Sequence, residues 1–204
     1  MLVFLVVEDE LSEHLLRAVL EQTQRDFLIG AVYGKQGSDY LKRNIRAFNR
    51  SAAGVPYVIL SDLDRVGCAP ELIESWFECK IPDYRGRCHP NLVFRVAVRE
   101  SEAWIMADRD RFAQFLGIRL NAVPHRPDEV DDPKRLLLDL AKQCRRRELR
   151  DDIVPRPGDR RIVGPDYTGR LAAFVTSSWR AEVAQRQSPS LSKTFEALKL
   201  FQPK

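Results

Sequence analysis

The sequence predicts an α/β protein: a mostly parallel sheet flanked by helices, followed by a helical C-terminal lobe. Two observations predict the sheet. Four short apolar runs, Leu2–Val7, Phe27–Tyr33, Tyr57–Leu60 and Asn91–Val98, are separated by amphipathic segments of helical length. Such alternation implies right-handed crossovers and parallel strands. The runs are also nearly continuous in apolar residues, as strands buried on both faces are. A third observation predicts the lobe. Past about residue 116 the strand-like runs stop, and helical patterns broken by proline take over. The expected organisation is an α/β domain over residues 1–116 with a helical lobe, residues 117–204, packed on it.

In order, Leu2–Val7 reads as a buried strand closed by Glu8. Leu11–Leu20 follows as a helix with Leu11, Leu15, Ala18 and Val19 on one face, capped by Asp9 or Ser12. Gly34-Lys35-Gln36-Gly37 turns out of the second strand into a basic helix, Ser38–Phe48. Pro70–Phe77 is a helix that tolerates proline in its first turn. Ile81–Pro90 reads as a polar loop, and Arg99–Ala107 and Arg109–Leu116 as helices. Pro133–Arg147 reads as one amphipathic helix closed by Arg145-Arg146-Arg147, cations that suit a helix C-terminus. Arg150–Tyr167 is irregular, and helices are expected over Thr168–Trp179 and Leu191–Leu200. Trp76, Trp104 and Trp179 fall within amphipathic patterns and read as core.

Composition bounds the function. The chain has 204 residues, 44% hydrophobic and 30% charged, as an ordinary globular protein has. The net charge of +4 permits a polyanionic partner without requiring one. Cys68, Cys79, Cys88 and Cys144 include no C-x-x-C pair and read as reduced thiols. No run is long enough to span a bilayer, and the apolar N-terminus is too short for a signal peptide. A cytoplasmic location is expected.

Chemistry concentrates where the strands end. Tyr57–Arg65 reads YVILSDLDR, an apolar strand running into Asp62 and Asp64. Ligands of open α/β sheets gather at the carboxyl ends of strands. If the strand persists, Asp62 and Asp64 point the same way. A second strand end offers Glu8, with Glu13 close behind, and a third offers Glu100 and Glu102, with Asp108 six residues beyond. Carboxylates that converge raise one another's pKa unless a cation lies between them, and hard oxygen donors suit Mg²⁺, Mn²⁺ or Ca²⁺.

Val7-Glu8 followed by Glu13 resembles the V-E-G-x-(x)-(D/E)-E opening of Toprim domains, and Asp62-Leu63-Asp64-Arg65 resembles their D-x-D. Arg95–Asp108, RVAVRESEAWIMAD, looks like the E-A-W-(L/I)-(L/M)-A-D segment of small stand-alone Toprim-related proteins. Those relatives are similar to the nuclease half of OLD-type (overcoming lysogenization defect) enzymes and are often encoded near ATPases. DDPKRLLLDLA, VGPDY and SPSL extend the resemblance over most of the chain. It implies a Rossmann-like Toprim core and Mg²⁺-dependent (or Mn²⁺-dependent) phosphodiester hydrolysis of DNA or RNA, as the effector partner of an ATPase in phage defence or DNA repair. Carried over, Glu8, Asp62 and Asp64 are metal ligands and Glu102 belongs with them in catalysis. Glu102, Glu13 and Glu100 complete a second metal site.

Asp9 stands where Toprim domains usually have glycine, and no motif fixes the lysine that OLD-type sites use; Lys134 is the candidate. These departures keep open a catalytically inactive Toprim-fold subunit that binds metal or nucleic acid. Arg65, Arg99 and Lys134 are the candidate nucleic-acid contacts. LVFLVVEDELSEHLLRAVLE also looks like the opening of a response-regulator receiver, with Asp62 as phospho-acceptor. A receiver needs a hydroxyl residue ending its fourth strand and a Lys-Pro after its fifth, and neither occurs here.

Overall fold

The structure, a computed structural model, describes residues 1–78 and 88–204. Four strands, β1 (Leu2–Val7), β2 (Leu28–Gly34), β3 (Tyr57–Asp62) and β4 (Leu92–Ala97), form one parallel sheet in the order β2-β1-β3-β4. The connecting helices are α1 (Glu10–Gln22), α2 (Ser38–Ser51) and α3 (Ala69–Phe77). The α/β class and the helix-flanked parallel sheet are as the sequence predicts. Most of the Ile81–Pro90 loop, and Cys79, lie outside the described residues. Cys68 is exposed, and Cys88 and Cys144 are buried.

The period of two along each strand sorts the core into two layers. Val3, Leu5 and Val7 of β1 and Val58 and Leu60 of β3 face one cluster; Val6, Tyr57 and Ile59 face the other. The second cluster is closed by Leu41 and Ile45 of α2 and Leu72 and Trp76 of α3. The first is larger. It runs from α1 through Trp104 and Phe112 to Leu171, Trp179 and Leu198 near the C-terminus.

After β4 come α4 (Ser101–Ala107), α5 (Arg109–Leu116), α6 (Pro133–Ala141), α7 (Arg147–Ile153), α8 (Tyr167–Ser177), α9 (Ala181–Ala184) and α10 (Pro189–Leu200). All three tryptophans are buried. Trp104 donates its indole N–H to Ser190 Oγ at 2.7 Å, and Trp179 donates to the Trp104 carbonyl at 3.0 Å. Half-buried Asp128 accepts from the Ser188 hydroxyl at 2.6 Å and the Ser190 amide at 2.9 Å, holding the first turn of α10. That helix lies over β4, where Arg95 Nε donates to Thr194 Oγ1 at 3.3 Å.

One helix differs from expectation. The segment Pro133–Arg147 is not continuous: α6 stops at Ala141, and α7 starts at Arg147. The Cys144 thiol is buried in the turn between them, and its amide donates to Ala141 O at 3.0 Å. The three arginines therefore stand before and at the start of α7 instead of closing α6, and α7 occupies part of the stretch expected to be irregular. Among the described residues no helix is long and apolar enough to cross a membrane.

Candidate active site

The parallel register brings the C-terminal ends of β1, β3 and β4 together. Val7 pairs with Leu60, and Asp62 with Ala97. Glu8, one residue past β1, therefore lies beside the last residues of β3. Its Oε1 accepts from the Ser61 hydroxyl and, at 2.9 Å, from the Asp62 amide. These bonds stabilise the carboxylate, yet burial, reinforced by the charges of Asp64 and Asp9, pushes its pKa up to about 7.

Asp62 shares the parity of Val58 and Leu60, so it points to the α4 side of the sheet. It is 8% exposed, and its Oδ1 accepts from the Ser101 amide at 3.0 Å. Burial, then repulsion from Glu102 and Glu8, holds its pKa well above the usual carboxylate range. Asp64 does not follow from the same strand. β3 ends at Asp62: the Leu63 amide is shared between the Ala97 carbonyl of β4 at 2.9 Å and the Arg99 carbonyl at 3.0 Å, and the Asp64 amide turns to the Arg99 carbonyl at 2.9 Å. Leu63 is buried, and Asp64 takes a left-handed φ of 50° with its side chain exposed. The two aspartates thus reach the site by different routes, one from the sheet and one from the loop. Asp64 stays near enough to raise the pKa of both Glu8 and Asp62.

Glu102 approaches from the first turn of α4 and is 2% exposed. Its Oε1 accepts from the Tyr167 hydroxyl at 2.8 Å and lies 3.4 Å from Lys134 Nζ. Its Oε2 is buried and has no hydrogen-bond partner among the described residues. Burial raises the Glu102 pKa against the opposing pull of Lys134. Lys134 in turn is held cationic: burial would lower its pKa, but Glu102, Glu100, Asp62 and Asp9 together raise it above the ordinary lysine value. Lys134 stands at the start of α6, where Pro133 fits a first turn and Asp132 caps by accepting from the Arg135 amide at 2.8 Å. Glu100 Oε2 accepts from the Lys134 amide at 2.9 Å and so fixes this helix end against α4.

The structure thus gathers Glu8, Asp62, Asp64, Glu102 and Lys134, with Glu100 bracing the helix that carries the lysine. Glu13 points elsewhere. Its carboxylate is flanked by Lys35 at 2.6 Å and Arg17 at 2.7 Å, which outweigh its burial and lower its pKa. Asp108 lies at the far end of α4, accepting from the Arg180 amide at 2.9 Å and pairing with Arg111 at 3.3 Å. Asp9 caps α1 by accepting from the Ser12 amide at 2.8 Å; its φ of −148° is open to any residue, so the backbone does not ask for glycine there. Glycine is required instead at Gly34, the end of β2. There φ is +101° and a Cβ would stand 2.0 Å from the Val7 carbonyl oxygen.

A cavity of about 790 Å³ opens beside the acids, lined by Asp64, Arg65, Arg99, Glu100 and Asp132 among others. Arg65 is exposed at its wall. Arg99 spends part of its guanidinium on the Val66 carbonyl at 2.8 Å, tying down the loop after β3. Among the described residues, no three His, Cys, Asp or Glu side chains close into a single coordination sphere. Sequence reasoning had no view of Ser61 or Tyr167, the hydroxyl donors to Glu8 and Glu102. Tyr167 stands within VGPDY, a stretch already notable for its likeness to Toprim-related chains, but nothing local marks its partner 65 positions away.

No family model matches the chain, and no curated protein does. Among solved structures, the chain is similar to the C-terminal region of the Burkholderia pseudomallei OLD protein. The TM-score is 0.48 at 17% sequence identity, over 97% of this chain and 96% of that one. A likeness at that level assigns no residue and no chemistry.

Proposed function

We propose that the chain is a Toprim-like, metal-dependent phosphodiesterase acting on DNA or RNA. The observation that carries this reading is the crowding of Glu8, Asp62 and Glu102, two of them nearly devoid of solvent, at the carboxyl ends of adjacent parallel strands. Burial raises all three pKa values, helped at Asp62 by Glu102 and Glu8, at Glu8 by Asp64 and Asp9, and at Glu102 by Glu100. Such a cluster is costly by itself and is relieved by a cation. The donor set fits a divalent ion: the oxygens are hard, and Glu102 Oε2 is a buried acceptor without a donor. Glu8, Asp62 and Asp64 would supply oxygens to Mg²⁺ or Mn²⁺, with Glu102 at the same cluster, and would have to draw in around the ion, since no three of them form a coordination sphere as they stand among the described residues. The ion, when bound, supplies an activated water and charge stabilisation for the leaving oxygen. The protein's own part is positioning. Ser61 orients Glu8, the Ser101 amide orients Asp62, and Tyr167 and Lys134 orient Glu102. Arg65 and Arg99, at the cavity wall, present guanidinium groups to a phosphate. As the effector of an ATPase, the chain would receive its nucleic acid at this cavity.

A second reading has one observation in its favour. Lys134 already sits 3.4 Å from Glu102, supplying part of the positive charge a second ion would bring. In that reading the chain is a binding subunit that holds metal or nucleic acid without turnover.

Cleavage of supercoiled plasmid, linear duplex and single-stranded RNA in Mg²⁺ or Mn²⁺ separates the two. Under the first reading the wild type cuts, and Asp62→Ala and Glu8→Ala both abolish cutting. No cleavage, with Mg²⁺-dependent thermal stabilisation intact, supports the second. Cleavage that survives both substitutions removes the cluster from the chemistry.

A further inference from the structure

On the far side of α4 from the acid cluster lies a separate concavity of about 570 Å³. It shares no lining residue with the cavity at Asp64 and Arg65. Glu100 stands just before α4 and Asp108 just after it, so the two regions stand roughly 12 Å apart along the helix axis, at about 1.5 Å per residue. Three guanidinium groups line this second cavity, each from a different part of the chain. Arg111 comes from α5, Arg146 from the link between α6 and α7, and Arg180 from the link between α8 and α9.

No carboxylate lines the cavity. Arg111 is paired with the fully buried Asp108 at 3.3 Å. Arg146 and Arg180 make no ion pair among the described residues; the Arg180 amide donates to Asp108 at 2.9 Å, and its side chain donates through Nη1 to the Trp179 carbonyl at 3.2 Å. Three like charges brought to one hollow repel one another unless an anion joins them. Guanidinium forks match phosphate oxygens in geometry as well as in charge. The Ser177 hydroxyl donates to the Ala173 carbonyl at 2.7 Å, and the Ser178 hydroxyl, 3.1 Å from it at the end of α8, adds a neutral donor on the same wall. The remaining wall is aromatic. Phe115 is half-buried and stacks on buried Phe174 with ring centroids 4.7 Å apart and planes at 24°. It offers a ring to a planar base beside the cationic wall. The volume falls within the roughly 300–1,000 Å³ of small-molecule sites.

We propose that this cavity binds a nucleotide, with its phosphates among Arg111, Arg146 and Arg180 and its base against Phe115. The nucleotide is either free or part of a nucleic-acid strand. The site is independent of the acid cluster and requires no metal.

Isothermal titration of the full chain in EDTA tests it, because chelation prevents any ion at the acid cluster from recruiting phosphate. The probes are pyrophosphate, ATP and a short single-stranded oligonucleotide. ATP or the oligonucleotide should bind, more tightly than pyrophosphate and less tightly as salt rises. Saturation by ATP identifies a free nucleotide as the source, and binding of the oligonucleotide alone identifies a strand. Arg146→Glu, at an exposed side chain, should weaken binding about tenfold or more, as should Arg180→Gln. Asp62→Asn should leave it unchanged, which separates this site from the proposed nuclease centre whether or not that centre cuts. Absence of binding by every probe at millimolar concentration would overturn the proposal, as would binding that both arginine variants leave intact. Pyrophosphate binding as tightly as ATP would overturn the nucleotide assignment.

Discussion

Replacing Glu8 by glutamine should make the metal-free protein more stable at pH 8 and leave it unchanged at pH 4. The Glu8 carboxyl ionises near pH 7 in the fold, against 4.5 as the ordinary value. Between those values the folded chain keeps a proton that the unfolded chain has released. Wild-type stability contributed by this group is therefore full below about pH 4.5, falls as pH rises through the window, and levels off above about pH 7. At about 1.4 kcal/mol per pH unit the gap amounts to about 3 kcal/mol. Glutamine does not titrate, and its amide oxygen can still accept from Ser61 and the Asp62 amide. For a chain of this size, 3 kcal/mol corresponds to a rise in Tm of about 6–12 °C. Thermal unfolding of both proteins in EDTA, from pH 4 to pH 8.5, measures the difference directly. A gain that does not depend on pH, or a loss at pH 8, would refute the assignment of Glu8 as a carboxylate held against its charge. Repeating the melts with Mg²⁺ should reverse the order, since a bound cation favours the ionised wild type.

Lys134→Met should cost about 1–3 kcal/mol at pH 8 in urea unfolding, because it leaves buried Glu102 with Tyr167 alone. The cost should shrink in acid, where Glu102, whose pKa is raised, takes up a proton. Gly34→Ala should cost about 2 kcal/mol or more, since the added carbon must displace the Val7 carbonyl at a φ of +101°; a melt within a degree of wild type would contradict the geometry. Trp104→Phe should cost about 1–2 kcal/mol by leaving the Ser190 hydroxyl without its indole partner, and near-UV circular dichroism should retain its tertiary signal.

What could be read from the sequence, and what could not, divides along range. The four strands announce themselves in runs of Val, Ile, Leu, Tyr and Phe; burial on both faces accounts for this in β3, whereas β2, at the sheet edge, has no fully buried residue and its apolar run is half exposed. Helix starts were also local: Asp9 carries its own cap, and Pro133 marks a first turn. The bend at Asp64 was not legible, since it arises from the Arg99 carbonyl, 35 positions on, taking the amides of Leu63 and Asp64. The break after Ala141 was hidden by leucines that keep a helical rhythm up to it. Within the candidate site, the carboxylates lie at strand ends that pattern alone identifies. Their hydroxyl partners, Ser61 and Tyr167, become visible only once the chain is closed, because hydroxyl contacts leave no periodic trace; Lys134, already a candidate, finds its partner Glu102 only there. Glu13 illustrates the reverse: its place in the sequence suggests a ligand, but Lys35 and Arg17 engage its carboxylate.

The helix that covers β4 has a consequence for how the chain is made. Arg95 meets Thr194 across 99 positions of sequence. At a synthesis rate of roughly 5–20 residues per second, the strand emerges about 5–20 seconds before its cover exists. During that interval β3 and β4 can pair while the flank later taken by Thr194, and the Val98 amide that donates to Ser190 Oγ, have nothing beside them but water. The nascent chain therefore passes through a period in which its sheet is formed but its edge is open to strangers. Slowing translation after β4 should lengthen that exposure and increase aggregation, even though the finished protein is unchanged.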